Sequence, residues 1–367
     1  MSKYDKIVVQ VQEYDKDRVY ITLGYNFGFS LNLYKVKEEV LNLNPAASIF
    51  LAYYKQEFAK NQLHKNIEIN VNPGNTFFSL VATSTTIIES VDKLFKVINY
   101  VPNEEFNQLK HEFIQHYRTQ YIDNNSALKL TLLEFIAQNK RFNKDEFHKY
   151  LETLSIEDVQ NAQNYLFKGM EFYIHALGEI DEELESQLRE KVESFDNASF
   201  TESAFLPLSG QDIVPKKLIY KSPEFIKLLL IHTNPDNKEK LEDIFLTYQI
   251  INELYHEYSP QMIIDTADMG MIISNIDSVR INYLKEDFIS YINKLEEQFD
   301  YLLVQMPRLF SELFVTLWIS GIDYVHYYKN LKNKSTEECW NTIENILANS
   351  LFCNVEKEGV YDGTDTN

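Results

Sequence analysis

Alternating apolar and polar positions open the chain. Ile7-Val8-Val9-Gln10-Val11 and Val19-Tyr20-Ile21-Thr22-Leu23 read as strands, with the polar turn Asp15-Lys16-Asp17 between them. That pair predicts a hairpin. The period then lengthens: from Pro45 to Leu63, the residues Ile49, Phe50, Tyr53, Tyr54 and Phe58 recur at helical spacing. Alternation returns at Asn66–Asn72 through Ile67, Ile69 and Val71. After a Pro73-Gly74-Asn75 turn, Thr76–Thr83 is a β-branched and aromatic strand. Helices are expected over Ile87–Ile98, Asn103–Ile122, Lys129–Asn139 and Lys144–Thr153. Asn103 would cap the second of these, and Glu104 and Glu105 in its first turn suit the helix dipole. Ser155-Ile-Glu-Asp158 has the spacing of a capping box and opens a helix to about Phe167. Glu171–Leu177 reads as a strand and Asp181–Val192 as a charged helix.

The texture changes near Asp196–Pro215, where Ser199, Ser203, Ser209, Pro207, Pro215 and Gly210 accumulate. That composition marks a linker. Residues 1–198 then form one domain, 199–215 the linker and 216–367 a second domain. In the second half, Phe225–His232 is a strand and Asn237–Tyr258 a long helix. Met269–Ile276 and Val279–Leu284 are expected to pair around Asp277-Ser278. Helices follow near Asp287–Leu302, Pro307–Ile319 and Thr336–Ser350, and the tail Lys357–Asn367 is polar. The implied class is α+β: two similar domains, each an antiparallel sheet with helices packed on one face.

Length and composition agree with this. A chain of 367 residues fits two cores better than one. With only 10 Gly and 9 Pro, long helices are favoured and a glycine-rich phosphate cradle is not. Lys and Arg number 35 against 55 Asp and Glu, a formal charge of -20. Such a surface repels phosphate, which argues against nucleic acid and anionic lipid as partners. Two cysteines, Cys339 and Cys353, build neither a disulfide framework nor a four-cysteine zinc site; they read as reduced, inert thiols. The opening residues lack an apolar run before a small-residue cleavage site. Leu313–Ile322 is apolar but short, and Glu312 and Asp323 flank it, so it reads as core and no membrane insertion is expected. A soluble, cytoplasmic protein is the expectation.

Candidate chemistry is sparse. A helical zinc pair needs two His four apart with a Glu between. His111-Glu112-Phe-Ile-Gln-His116 places them five apart, roughly 140° around the helix from each other. Two polar helix positions is the simpler reading. No Gly-x-Ser-x-Gly elbow occurs. Gly24-Tyr-Asn-Phe-Gly28 after a strand fits a turn or bulge better than a dinucleotide fingerprint. Asp181-Glu182-Glu183 falls at a helix start, where acids have a structural reason to be.

The order of elements in the first half resembles the insulinase or processing-peptidase family of zinc peptidases. Asn103-Glu-Glu-Phe-Asn-Gln-Leu-Lys-His-Glu-Phe resembles that family's helix with an acidic start and a downstream glutamate. Leu151-Glu-Thr-Leu-Ser-Ile-Glu-Asp-Val-Gln is similar to its capped helix start, and Phe172-Tyr-Ile-His-Ala-Leu-Gly-Glu-Ile-Asp181 to its strand ending in a Gly-Asp-Ile-Asp-type turn. Ile67-Glu-Ile-Asn70 and Thr76-Phe-Phe-Ser79 resemble its strand pair beside the active helix. Ser222–Ser350 is compatible with the family's repeated domain.

The resemblance implies half of a clam-shell chamber, closed over a peptide by a second half. In such enzymes one half holds zinc through His-x-x-Glu-His and a later Glu, and the other grips substrate with an Arg and a Tyr. Here the corresponding helix, near Pro45–Tyr54, has neither His nor Glu, and Glu112 stands alone in the place of the third ligand. No catalytic or metal-ligating residue is therefore expected in this chain, and zinc belongs to a partner. In the second half Gly270 fits the motif around Asp265–Ile273, but its Arg and Tyr are missing; Arg280 and Tyr283 are the substitutes. Asn70 lies on the strand expected to face the peptide. The implied function is a non-catalytic subunit of a heterodimeric zinc peptidase that binds peptide, in a setting such as bacteriocin processing. The rivals are an assembly subunit without substrate contact and an unrelated helix-rich binding protein.

Overall fold

The computed structural model describes residues 6–12, 17–29, 33–36, 39–63, 66–72, 75–101, 105–120, 144–196, 203–205, 227–233, 241–264, 269–276, 278–279 and 284–356. The first half runs β1 (Ile7–Val11), β2 (Arg18–Tyr25), β3 (Leu33–Val36), β4 (Glu39–Asn42), α1 (Ala46–Phe58), β5 (Ile67–Val71), β6 (Thr76–Thr83), α2 (Ile87–Asn99), α3 (Phe106–Gln120), α4 (Lys144–Thr153), α5 (Ile156–Ala162), β7 (Phe172–Gly178) and α6 (Glu182–Asp196). After β8 (Ser203–Phe205) come β9 (Lys227–Thr233), α7 (Leu241–Leu254), β10 (Gln261–Ile264), β11 (Met269–Ser274), α8 (Leu284–Gln305), α9 (Pro307–Ile319), α10 (Tyr324–Asn333), α11 (Thr336–Ala348) and β12 (Leu351–Glu356). The protein is α+β, with one larger sheet in each half.

Several local rules act as the sequence suggests. Ser155 and Asp158 form a reciprocal capping box at the start of α5, and Ser335 and Glu338 form another at α11. Asp181 Oδ1 accepts from the Leu184 N–H at the start of α6. Pro307 is the first residue of α9, where its missing N–H costs nothing. The proposed Asn103 cap and the helix at Lys129–Asn139 lie outside the described residues.

Strand pairing departs from the sequence reading. The first sheet has the order β1-β7-β2-β6-β5, so β1 and β2 are not a hairpin. β7 lies between them, parallel to β1 and antiparallel to β2. Its residues from Ile174 to Gly178 are buried, and a strand so apolar is most stable with a neighbour on each side. In the second sheet, β10-β11-β9-β12, β11 lies between β10 and β9; its expected partner Val279–Leu284 falls largely outside the described residues. Five further elements carried too little periodicity to be read: β3, β4, β10, α10 and β12. Part of the segment read as linker is a strand, since Ser203–Phe205 pairs with β3.

Period-two sorting of side chains explains how the halves join. In the first sheet Val19, Ile21, Leu23, Phe78, Leu80, Ile174 and Ala176 face a core shared with α1, α2, α3 and α5. Tyr20, Phe77 and Leu177 point the other way, into the core built by the second half. β11 is divided likewise, with Met269, Met271 and Ile273 in one core and Ile272 in the other. Each larger sheet thus carries its own helices on one face and gives side chains from the opposite face to its neighbour's core.

Helix α9 makes the closest approach, crossing β6, β2 and β7. Gly24 lies within β2, in a regular register opposite Phe77, and is neither turn nor bulge. A Cβ there would meet Val315 Cγ1 at 2.3 Å and Ile319 Cδ1 at 2.8 Å. The glycine is there because α9 is. Beside it Ser79 donates to Glu312 Oε1 at 2.8 Å, and His175 Nδ1 lies 2.9 Å from Ser311 Oγ. The imidazole stacks on Phe314 with ring centroids 4.1 Å apart. Leu313–Ile322 is largely this helix and belongs to the interior, as read. Among the described residues no single helix is long and apolar enough to cross a membrane.

Candidate functional site

Three elements define the region to which the resemblance points: α1, α3 and β5. Helix α1 is buried along most of its length, including Phe50, Leu51, Tyr54 and Lys55. Its inner face is aromatic. Phe50 meets Phe106 and Phe113 of α3 edge-on at 5.5 and 5.6 Å, and Tyr53 lies 5.0 Å from Phe113. Glu112, next to Phe113, faces solvent and accepts from Gln108 Nε2 at 3.0 Å. Glu57, at the end of α1, pairs with Lys60 at 3.0 Å.

These groups do not suit a zinc ion. Zinc takes deprotonated sulfur, neutral imidazole or carboxylate in a converging set. Burial, Glu57 and Glu112 push the Tyr53 phenol above its ordinary range. Tyr54 is pushed up further, by burial and by the hydroxyl of Tyr100 at 3.3 Å. Both phenols stay protonated at neutral pH and are poor ligands. Among the described residues no three His, Cys, Asp or Glu side chains converge. His111 is exposed and bonds Gln115 on its own helix.

Lys55 is the feature of α1 that spacing did not single out. It is fully buried. Its Nζ donates to the carbonyls of Ile98 at 2.6 Å and Tyr100 at 2.5 Å, and to Gln163 Oε1 at 2.8 Å; Val97 O lies at 3.4 Å. Phe167 presents its ring 4.9 Å away. Burial, and then Lys168, pull this amine well below the usual lysine range. The carbonyls at the C-terminal end of α2 act in the opposite sense, because that end of a helix favours a cation. Lys55 therefore ties α1 to α2 and to the turn after α5. No sequence signal marks it beyond a lysine in an otherwise apolar run.

β5 is an edge strand of the first sheet. Asn70 is exposed on it, in register with Phe77 of β6. Glu68, two residues earlier, forms an ion pair with Arg308 of α9, and Arg308 also lies 3.3 Å from Glu312. Near the start of β5, a cleft of about 490 Å³ is lined by Arg18, Tyr20, Asn66, Thr83 and Thr86. Among the described residues its lining holds no His, Cys, Asp or Glu. Arg280 and Tyr283, the candidate substrate anchors of the second half, lie outside the described residues. The structure thus places Asn70 at a sheet edge.

The fold, with its paired α+β halves, is similar to that of solved M16-like peptidases. A putative M16-like peptidase from Alicyclobacillus acidocaldarius superposes with a TM-score of 0.66 over 97% of this chain and 97% of its own, at 10% identity. The M16 inactive domain from Pseudomonas fluorescens gives 0.58 over 96% and 95%, at 9% identity. A mutant of the ferredoxin protease FusC in complex with Arabidopsis ferredoxin gives 0.55 over 96% of this chain and 46% of its own, at 11% identity. No family model and no curated protein matches the sequence. At these identities the likeness is one of fold.

Proposed function

We propose that the chain is a non-catalytic half of a two-half zinc peptidase, supplying chamber wall and peptide-binding edge while a partner holds the metal. One observation carries this reading. On α1, which the sequence resemblance matches to the family's metal-binding helix, Phe50 packs against Phe106 and Phe113 and Tyr53 against Phe113, and among the described residues no three metal-ligating side chains converge. Fold neighbours support it: one is described as an inactive M16 domain, and another matches this chain over less than half of its own length while bound to a protein. The expected peptide adds to β5, where an edge strand leaves backbone groups available for pairing. Asn70 is the side chain nearest that role. The charge of -20 favours a basic peptide. Processing of a ribosomally made peptide such as a bacteriocin, in the cytoplasm, is the setting this reading suggests.

Reconstitution tests it. The chain is mixed with a zinc peptidase of the same fold that carries His-x-x-Glu-His, and cleavage of a basic peptide is followed with and without chelator. The expected result is chelator-sensitive cleavage by the pair and none by this chain alone. Partner activity unchanged by the addition, or cleavage by this chain alone, overturns the proposal. Peptide cross-linking separates the rival assembly role, since a chain that only builds the complex acquires no label on β5.

A further inference from the structure

The edge of β5 is not open along its whole length. Gln56 of α1 donates from Nε2 to the Ile67 carbonyl at 2.9 Å, and its Oε1 accepts from the Ile69 N–H at 2.7 Å. Ile67 and Ile69 flank Glu68, and the Ile69 amide is spent on Gln56 and not on β6. One residue of a parallel neighbouring strand makes the same pair of bonds, giving its N–H to one carbonyl and taking the amide two positions on. A carboxamide carries the donor and acceptor of a peptide unit and can reproduce that pair. The stem is half-buried and α1 lies along β5, so the amide is held at the edge.

We propose that Gln56 determines register at this edge: its carboxamide stands in for one residue of an added strand and closes β5 at Ile67–Ile69. A peptide then pairs first at the Asn70–Val71 end, and extends toward Ile67 only when Gln56 swings out. This rests on the reading that peptide adds to β5. A glutamine that merely staples α1 to the strand differs in consequence, because its removal loosens the fold and improves no binding.

The probe is a fluorescein-labelled, capped hexapeptide of alternating valine and lysine, whose charge complements the chain. Its affinity is measured by anisotropy for the full chain and for Gln56→Ala and Gln56→Met, the latter keeping the apolar stem. Amide hydrogen exchange at Ile69 and Val71 is followed with and without probe. Without probe, Ile69 exchange should rise about tenfold or more in both variants, as an amide without its acceptor exchanges faster. The variants should bind the probe about tenfold tighter, one further residue of backbone pairing being available. In the wild type the probe should protect Val71 and not slow Ile69 further; in the variants it should protect both. Equal or weaker binding by variants whose Ile69 exchange has risen overturns the proposal and leaves strand addition standing. Unchanged Ile69 exchange overturns it too. Binding by none of the three proteins fails the strand-addition reading itself, and this inference with it.

Discussion

Lys55 shows how one residue can hold a region together without doing chemistry. Its amine is surrounded by oxygen from α2, Tyr100 and Gln163. Lys55→Met keeps much of the volume but leaves those acceptors without a donor, and should cost about 1–3 kcal/mol in denaturant titrations. His175 makes the complementary point. Burial holds its pKa down at about 3, against an ordinary value of 6.5. The unfolded chain therefore binds a proton that the folded chain refuses, so stability is lost as pH falls below 6.5 and goes on falling toward 3. The slope from this residue approaches about 1.4 kcal/mol per pH unit. His175→Gln should flatten the fall between pH 6.5 and pH 4.5, measured as denaturation midpoints. Neither residue was legible in the sequence: a lysine and a histidine inside apolar runs look like interruptions until their partners, 43 and 136 residues away, are known. Asn70 was legible as a strand position, but the bonds Gln56 makes to that strand were not, since no periodicity marks a helix side chain that bonds backbone.

Elements were read best where local chemistry decides them. The capping box at Ser155 and the Pro307 start of α9 are written within a few residues. Ser155→Ala should cost about 1 kcal/mol in thermal or denaturant unfolding. Pairing was read worst, because it depends on distant partners. The early hairpin failed when β7, some 150 residues later, proved the better neighbour for both strands. Gly24 belongs with these long-range effects. Gly24→Ala drives a methyl into Val315, a stiff β-branched side chain, and should cost about 1–3 kcal/mol. Val315→Ala in the same chain should recover part of that loss, and a double-mutant cycle of denaturation free energies measures the coupling.

For the whole molecule, composition and element order pointed to two α+β halves, and the fold bears this out. What they did not reveal is that the halves share cores. Tyr20, Phe77 and Leu177 of the first sheet are buried by the second half. Residues 1–198 expressed alone should expose that face, bind a hydrophobic dye and aggregate or melt without a cooperative transition, followed by calorimetry. A soluble, cooperatively folding fragment would contradict the reciprocal packing. Packing also shapes the region of α1, where aromatic rings fill the space toward α3.

Shared cores also limit how this protein can meet others. With the central strands covered above and below by its own chain, their broad surfaces are already spoken for. Contact with a companion falls to the margins of the sheets and to the outer sides of the helices. Margins are narrow, and a margin partly sealed by a glutamine is narrower still, so recognition there turns on a few backbone groups and their alignment more than on extensive apolar area.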